Sequence, residues 1–279
     1  MQIDTKLHRI RVNFIVTQEI ERFVYLYLIV SNDIHVIDTG VAGAEKIIQE
    51  YLKSIGRNID EVKSVLLTHS HPDHIGSAYA IKELSNCDVY ACEAEKDWIE
   101  NIDKQFAERP IPNFYTLLNK SVVVDKVVKD NDVLMLENGI TIKIIDTKGH
   151  SSGSLSFLWI EQGELFTGDA IPVIGDIPIY VSAYDSIDTL KRLLFVDGVK
   201  RYLSSWDDIY NEEIGIEAIK KSLDYLSQIN DTVKNIVANS EKNMDEIYIR
   251  VCHALSLNHL IQNPLFRKSI YANINEMGK

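Results

Sequence analysis

The sequence is short of several things, and each shortage excludes something. Positive charge is in deficit: 29 Lys and Arg stand against 41 Asp and Glu, a formal net charge of −12. Nucleic acid and anionic membrane surfaces repel such a chain, so neither is expected as a partner. A small anionic substrate is still allowed, because it would feel a local metal charge more than the global field. Cysteine is scarce: Cys87, Cys92 and Cys252 are the three, and no CxxC pair exists. That odd count argues against a disulfide framework and for a reducing, cytoplasmic compartment. Long apolar runs are missing too. The longest, FVYLYLIV at 23–30, is eight residues. It is too short to span a bilayer, which takes about 20, and its β-formers read as a buried strand. The first residues show no signal-peptide pattern, and the chain has no fixed-period repeat or low-complexity tract. What remains is an ordinary globular composition, 46% hydrophobic and 25% charged over 279 residues, long enough to bury a sizeable core.

The patterning is α/β. LHRIRVNFIV, FVYLYLIV and IHVIDTG form a strand meander, with Ser31-Asn32-Asp33 as a tight turn. AEKIIQEYLKSIG reads as a helix ended by Gly56, VKSVLLTH as an interior strand, IGSAYAIKELS as a helix and CDVYAC as a strand. Residues 94–112 are polar and helical, and PIPNFYTLL reads as a loop. Strands return over 133–168, with hairpin turns at Asn138-Gly139 and Gln162-Gly163. The helix SIDTLKRLLFV and the strand VKRYLSS close the α/β part. After about residue 212 only helical spacing appears. The expected organisation is an α/β part over 1–210 and a helical extension over 211–279.

Histidine is not abundant either, with eight in all, yet three fall within THSHPDHIG at 68–76. His69 and His71 are two apart at a strand end, where alternate residues point the same way. Pro72 restricts the backbone, and Asp73 and His74 open the next helix. Imidazole and carboxylate suit Zn²⁺, Fe²⁺ or Mn²⁺ rather than Ca²⁺. The plainer reading is a polar turn in which Asp73 caps the helix. KGHSSGSLSF sets His150 in a turn of small residues, and LFTGDA sets Asp169 after a strand and a glycine. Alone, each would be a commonplace turn.

THSHPDH, GHSSGS and TGDA, in that order after IDTG, resemble the metallo-β-lactamase superfamily over about residues 7–206. The branch looks closest to the glyoxalase II-type thioesterases and lactonases. The resemblance implies a four-layer αβ/βα sandwich with metals at one edge. It implies His69, His71 and His150 on one ion, Asp73 and His74 on a second, and Asp169 bridging them. Zinc is the implied metal, one ion or two, with iron or manganese as alternatives. Asp38 would be a buried anchor beside the site. The implied activity is hydrolysis of a small-molecule ester, thioester or lactone by a metal-bound hydroxide, with Asp73 orienting the nucleophile or carrying its proton.

One departure is specific. Where the family carries a last histidine ligand, this chain reads YLSSWDD, with Trp206 in its place. Indole N–H cannot ligate a metal. Asp207 is one substitute. The alternatives are a single-ion non-haem iron dioxygenase of the persulfide type and, with the site vestigial, a binding protein without catalysis. His253 and His259, six apart in the helical region, share no helix face and are read as ordinary helix residues; His8 and His35 are assigned nothing. Pro172, Pro178, Tyr180 and Tyr184 are candidate walls of the substrate approach, and either tyrosine is a candidate oxyanion donor. The C-terminal helices are expected to cover the site or to make a homodimer contact.

Overall fold

A computed structural model describes residues 1–17, 20–239 and 243–277. Two six-stranded sheets face each other. The first holds β1 (Leu7–Thr17), β2 (Ile20–Val30), β3 (Ile34–Ile37), β4 (Val62–Leu66), β5 (Asp88–Cys92) and β6 (Lys126–Val128), in that order across the sheet. β1 to β3 pair antiparallel, and β3 to β6 pair parallel. The second holds β7 (Val133–Glu137), β8 (Ile140–Asp146), β9 (Leu155–Trp159), β10 (Glu164–Gly168), β11 (Arg201–Ser204) and β12 (Ile209–Asn211), also side by side in sequence order. Only β10 and β11 run parallel in it.

Strand periodicity explains the layering. On β2, Val24, Leu26 and Leu28 face one way into a cluster with Ala44, Ile48 and Leu52 of α1 (Ala44–Ser54). Tyr27 and Ile29, one residue out of phase, face Ile142, Phe157, Trp159 and Phe166 of the other sheet. α2 (Pro72–Ile75), α3 (Ala78–Ser85), α4 (Glu93–Glu100), α5 (Ile102–Glu108) and α6 (Phe114–Leu117) follow on the first half. The outer face of the second sheet packs on α7 (Ala183–Leu193), α8 (Glu212–Ala238), α9 (Met244–Ala254) and α10 (Pro264–Met277). The order is helix, sheet, sheet, helix, the αβ/βα sandwich that the motifs imply.

Three local expectations differ. The strand through VKSVLLTH stops at Leu66, because the Thr68 amide turns to donate to the Asp38 carboxylate instead of the ladder. The loop expected at PIPNFYTLL contains the short helix α6. β6 and β12, three residues each, carry too little alternation to announce themselves. Asp38 follows β3, the HxH segment follows β4, Asp169 follows β10 and Trp206 follows β11. Their loops therefore gather at the rim where these strands end, together with the β8–β9 turn that carries His150. Among the described residues no helix is long and apolar enough to cross a membrane.

Candidate metal centre

The rim brings together side chains that are far apart in sequence. His69 Nε2 lies 3.0 Å from His71 Nδ1, and that atom lies 2.9 Å from His150 Nε2. All three residues are buried. Their other contacts decide which nitrogen carries the proton. Thr68 Oγ1 donates to Asp38 Oδ2 at 2.8 Å, so it accepts from His69 Nδ1–H at 3.0 Å. His150 Nδ1 donates to the Ile179 carbonyl at 2.9 Å. Both residues therefore point an Nε2 lone pair at His71 Nδ1. Burial holds His69 and His71 well below the ordinary imidazole range, and neighbouring imidazoles add to the effect. A single proton on His71 Nδ1 would have to be shared between two Nε2 acceptors, whereas a cation can take all three nitrogens as ligands. Four ligands at the usual zinc–nitrogen distance of about 2.0–2.1 Å stand about 3.3 Å apart, close to the spacing seen.

A second group adjoins the first. His69, His74 and Asp169 also place donor atoms within 4.8 Å of one another. His74 Nδ1 donates to Asp38 Oδ2 at 2.9 Å. Its Nε2 is buried without a hydrogen-bond partner, 3.3 Å from Asp169 Oδ1, which is also unpartnered, and 3.6 Å from Asp73 Oδ2. Burial works against a charge on His74, but Asp169, Asp38 and Asp73 outweigh it and lift the imidazole well above its ordinary value. Asp169 goes the other way: burial opposes its charge, and His74 and His150 win and hold it low. Burial raises Asp73. The surroundings of His74 thus favour positive charge at this point. A metal ion with ligands on both sides would supply that charge.

Asp38 ties these pieces together. Its carboxylate accepts from the Thr68 amide, the Thr68 hydroxyl and His74 Nδ1. It holds left-handed backbone at φ 57°, which its buried hydrogen bonds sustain. Gly168, just before Asp169, has φ 52°, and a Cβ there would stand 2.8 Å from the Thr68 side chain. Only glycine lets β10 pass so close to the motif.

Trp206 occupies the place of the absent histidine in a definite way. Its indole Nε1 donates to Asp169 Oδ2 at 2.9 Å, and the ring packs against Phe14, Phe23 and the Arg22 guanidinium. Asp207 does not substitute: its carboxylate accepts from the Asp208 amide and lies beside Tyr210. His253 bonds Asn258 at 2.7 Å, and both it and His259 are exposed, outside the cluster. Neither tyrosine candidate faces the histidine cluster. Tyr180 is buried beside Asn273 and Glu276, and Tyr184 donates to Met277 Sδ. The segment after Asp169 still wraps His150, through Ile179 and the Val181 amide on the Gly149 carbonyl. A cavity of about 230 Å³ opens beside His71, walled by Trp98, Lys104, Glu108, Ser152 and Val181.

Sequence reading missed two residues here. Glu95 is a buried carboxylate behind the loops that carry His69, His71 and His150. Arg109, half-buried after α5, is close enough for its charge to act on Asp73 and Asp169. Neither lies in a recognisable motif, and each reaches the site only through the fold.

Two facing sheets with outer helices and a His/Asp cluster at one rim define a class of α/β proteins built to hold metal ions between loops. The chain belongs to the metallo-β-lactamase superfamily, whose sequence pattern matches residues 20–204. A hydroxyacylglutathione hydrolase of Hyphomonas neptunium is 28% identical over 133 residues, covering 47% of this chain and 43% of that protein. A probable metallo-hydrolase of Methanocaldococcus jannaschii is 28% identical over 173 residues, 60% of this chain and 79% of that one. The chain thus spans less than half the length of the first of these relatives. A crystal structure of a metallo-β-lactamase family protein from Thermus thermophilus matches with TM-score 0.75 at 18% identity, over 99% of this chain and 95% of that one. Identity that low speaks for the fold alone.

Proposed function

We propose that the protein is a metal-dependent hydrolase of a small-molecule ester, thioester or lactone, with His69, His71, His150, Asp73, His74 and Asp169 as its metal ligands. The observation that carries this is the pair of unpartnered buried atoms, His74 Nε2 and Asp169 Oδ1, beside three imidazole nitrogens that converge within 3.0 Å on His71 Nδ1. A bound ion would make hydroxide available at neutral pH and polarise the scissile carbonyl. The rest falls to the chain. Thr68, Asp38 and the Ile179 carbonyl fix the imidazole tautomers. Asp73, with Oδ2 3.6 Å from His74 Nε2, is assigned to orient the attacking water and take its proton. The cavity beside His71 and the 172–182 segment bound the approach, and Arg109 offers its charge to an anionic substrate group. The cytoplasmic setting belongs to this reading and is in keeping with three free cysteines.

A second reading has its own observation. The Trp206 N–H already occupies one face of the Asp169 carboxylate, which favours a single ion. Three histidines and one carboxylate also suit mononuclear iron and oxygen chemistry. Metal analysis of the purified chain separates the two, with a chelator-sensitive thioester and lactone panel alongside. Zinc with turnover that chelator abolishes is expected. Turnover indifferent to chelator would sink the hydrolase reading, and one iron per chain with persulfide oxidation would install the other.

A further inference from the structure

Behind the ligand loops lies one carboxylate that touches no proposed ligand directly. Glu95 is 3% exposed, on α4, and both of its oxygens accept hydrogen bonds. Oε2 accepts from the Ser70 amide at 3.0 Å and from the Ser70 hydroxyl. Oε1 accepts from the Ser151 hydroxyl at 2.7 Å and the Gly153 amide at 2.6 Å. The Ser70 carbonyl, in turn, accepts from Gln105 Nε2 at 2.6 Å.

The placement of these partners is what matters. Ser70 stands between His69 and His71, so when the two imidazoles point inward its own side chain points the other way, toward Glu95. Ser151 and Gly153 follow His150. Each oxygen therefore grips a different ligand-bearing segment, one from each half of the sandwich. Gly153 permits the approach, since a Cβ there would stand 3.0 Å from the Glu95 and Ala94 side chains and from Cys92 Sγ. Four donors on two oxygens is a pattern a carboxylate satisfies and an amide cannot.

We propose that Glu95 is a positioning residue that fastens the 69–71 and 150–153 segments in register, so that affinity for metal depends on a side chain that binds none. This rests on the metal-ligand reading above. Outer partners of metal-ligating histidines set ring orientation and ordinarily govern about 10- to 100-fold of metal affinity. Here the outer partner acts through the backbone of two loops at once.

The test is the zinc dissociation constant of the full chain, by competition with a chromophoric chelator, in the parent, Glu95→Gln and His150→Ala. The cobalt-loaded visible spectrum and the melting temperature of each metal-free form accompany it. Glu95→Gln is expected to weaken zinc about 10- to 100-fold and to alter the cobalt bands in protein that is still folded. Parent-like affinity and spectrum in Glu95→Gln, with His150→Ala weakened, overturn the proposal and leave the metal reading standing. Parent protein that binds no zinc, or is indifferent to His150→Ala, overturns both. If Glu95→Gln does not fold, the Ser70→Ala/Ser151→Ala double variant decides, with about tenfold weaker binding expected and parent-like binding refuting.

Discussion

Trp206→His should convert a hydrogen-bond donor on Asp169 into a metal ligand at the same place. An indole and an imidazole share the bonded path from Cβ through Cγ and Cδ to Nε. A histidine in the tryptophan's rotamer would therefore set its Nε2 near the present indole nitrogen, 2.9 Å from Asp169 Oδ2. That is the spacing of two ligands on one ion, and Asp73 Oδ2, His74 Nε2 and Asp169 Oδ1 face the neighbouring space. Outer partners alone are worth about 10- to 100-fold in affinity, so a direct ligand should gain at least about 100-fold, or about 2.7 kcal/mol. The exchange also has a cost. The indole's contacts with Phe14, Phe23 and Arg22, at 6.3, 6.0 and 4.9 Å between centres, are lost in part. Aromatic pairs and cation–π contacts contribute about 0.5–1.5 kcal/mol each, so the metal-free variant should lose about 1–3 kcal/mol. The assay is metal content by mass spectrometry after dialysis against graded chelator, with thermal melts of metal-free protein. The variant should hold a second ion under conditions where the parent holds one, and its metal-free form should melt lower. Metal content and affinity equal to the parent's would refute the reasoning, and would mean that the gap at Trp206 is not what limits the second position.

Other perturbations probe the surrounding parts. Asp38→Asn keeps a residue tolerant of left-handed backbone but removes an acceptor from Thr68 or His74, and zinc affinity should drop about 10- to 100-fold in chelator competition. Gly168→Ala and Gly139→Ala both add a Cβ at positive φ, but only the first meets Thr68, while the second meets nothing within 4 Å. Denaturant melts should show Gly168→Ala costing about 1–3 kcal/mol more, the overpacking share. Arg109→Gln should raise KM severalfold for anionic substrates and leave neutral ones unchanged, by steady-state kinetics. A chain ended at residue 210 should fail to give a cooperative melt. Ile219, Leu226, Tyr248 and Phe266 share one core with Leu190 and Leu193 of α7, and the ring of Tyr202 on β11 packs against Gly215 of α8.

The parts of the molecule that the sequence made legible are those where chemistry and period coincide. Apolar alternation on β8 and continuous apolar runs on β2 and through VKSVLLTH declared the sheets, since each face had a different layer to meet. The HxHxDH spacing announced a cluster that could hold a metal because few other uses would put three imidazoles in one turn. Glu95 and Arg109 could not be read in the same way. A glutamate in EAEKDW looks like any solvated helix residue until the helix is laid behind the two histidine-bearing loops. Its partners on one of them, Ser151 and Gly153, lie 56 and 58 residues further along the chain. Tyr180 failed in the opposite direction. Its position beside a ligand segment suggested a hydroxyl for the substrate, but α10 draws its backbone to Ser269 and its ring into the helical core. Long-range packing decides such cases, and no local pattern encodes it.

The choice between one ion and two comes down to a single carboxylate. Asp169 Oδ1 faces His74 at 3.3 Å, and Oδ2 faces His150 at 3.4 Å and Trp206 at 2.9 Å. A carboxylate oxygen has lone pairs for two partners, so the indole N–H leaves Oδ2 able to ligate on the His150 side and orients it there. What the tryptophan removes is the ligand that would have completed the His74 side. That asymmetry predicts unequal affinities rather than an absent site: a tight ion among His69, His71 and His150, and a weaker one among Asp73, His74 and Asp169. His74 keeps its Nε2 aimed at that second position through Asp38, which a purely structural histidine would not need.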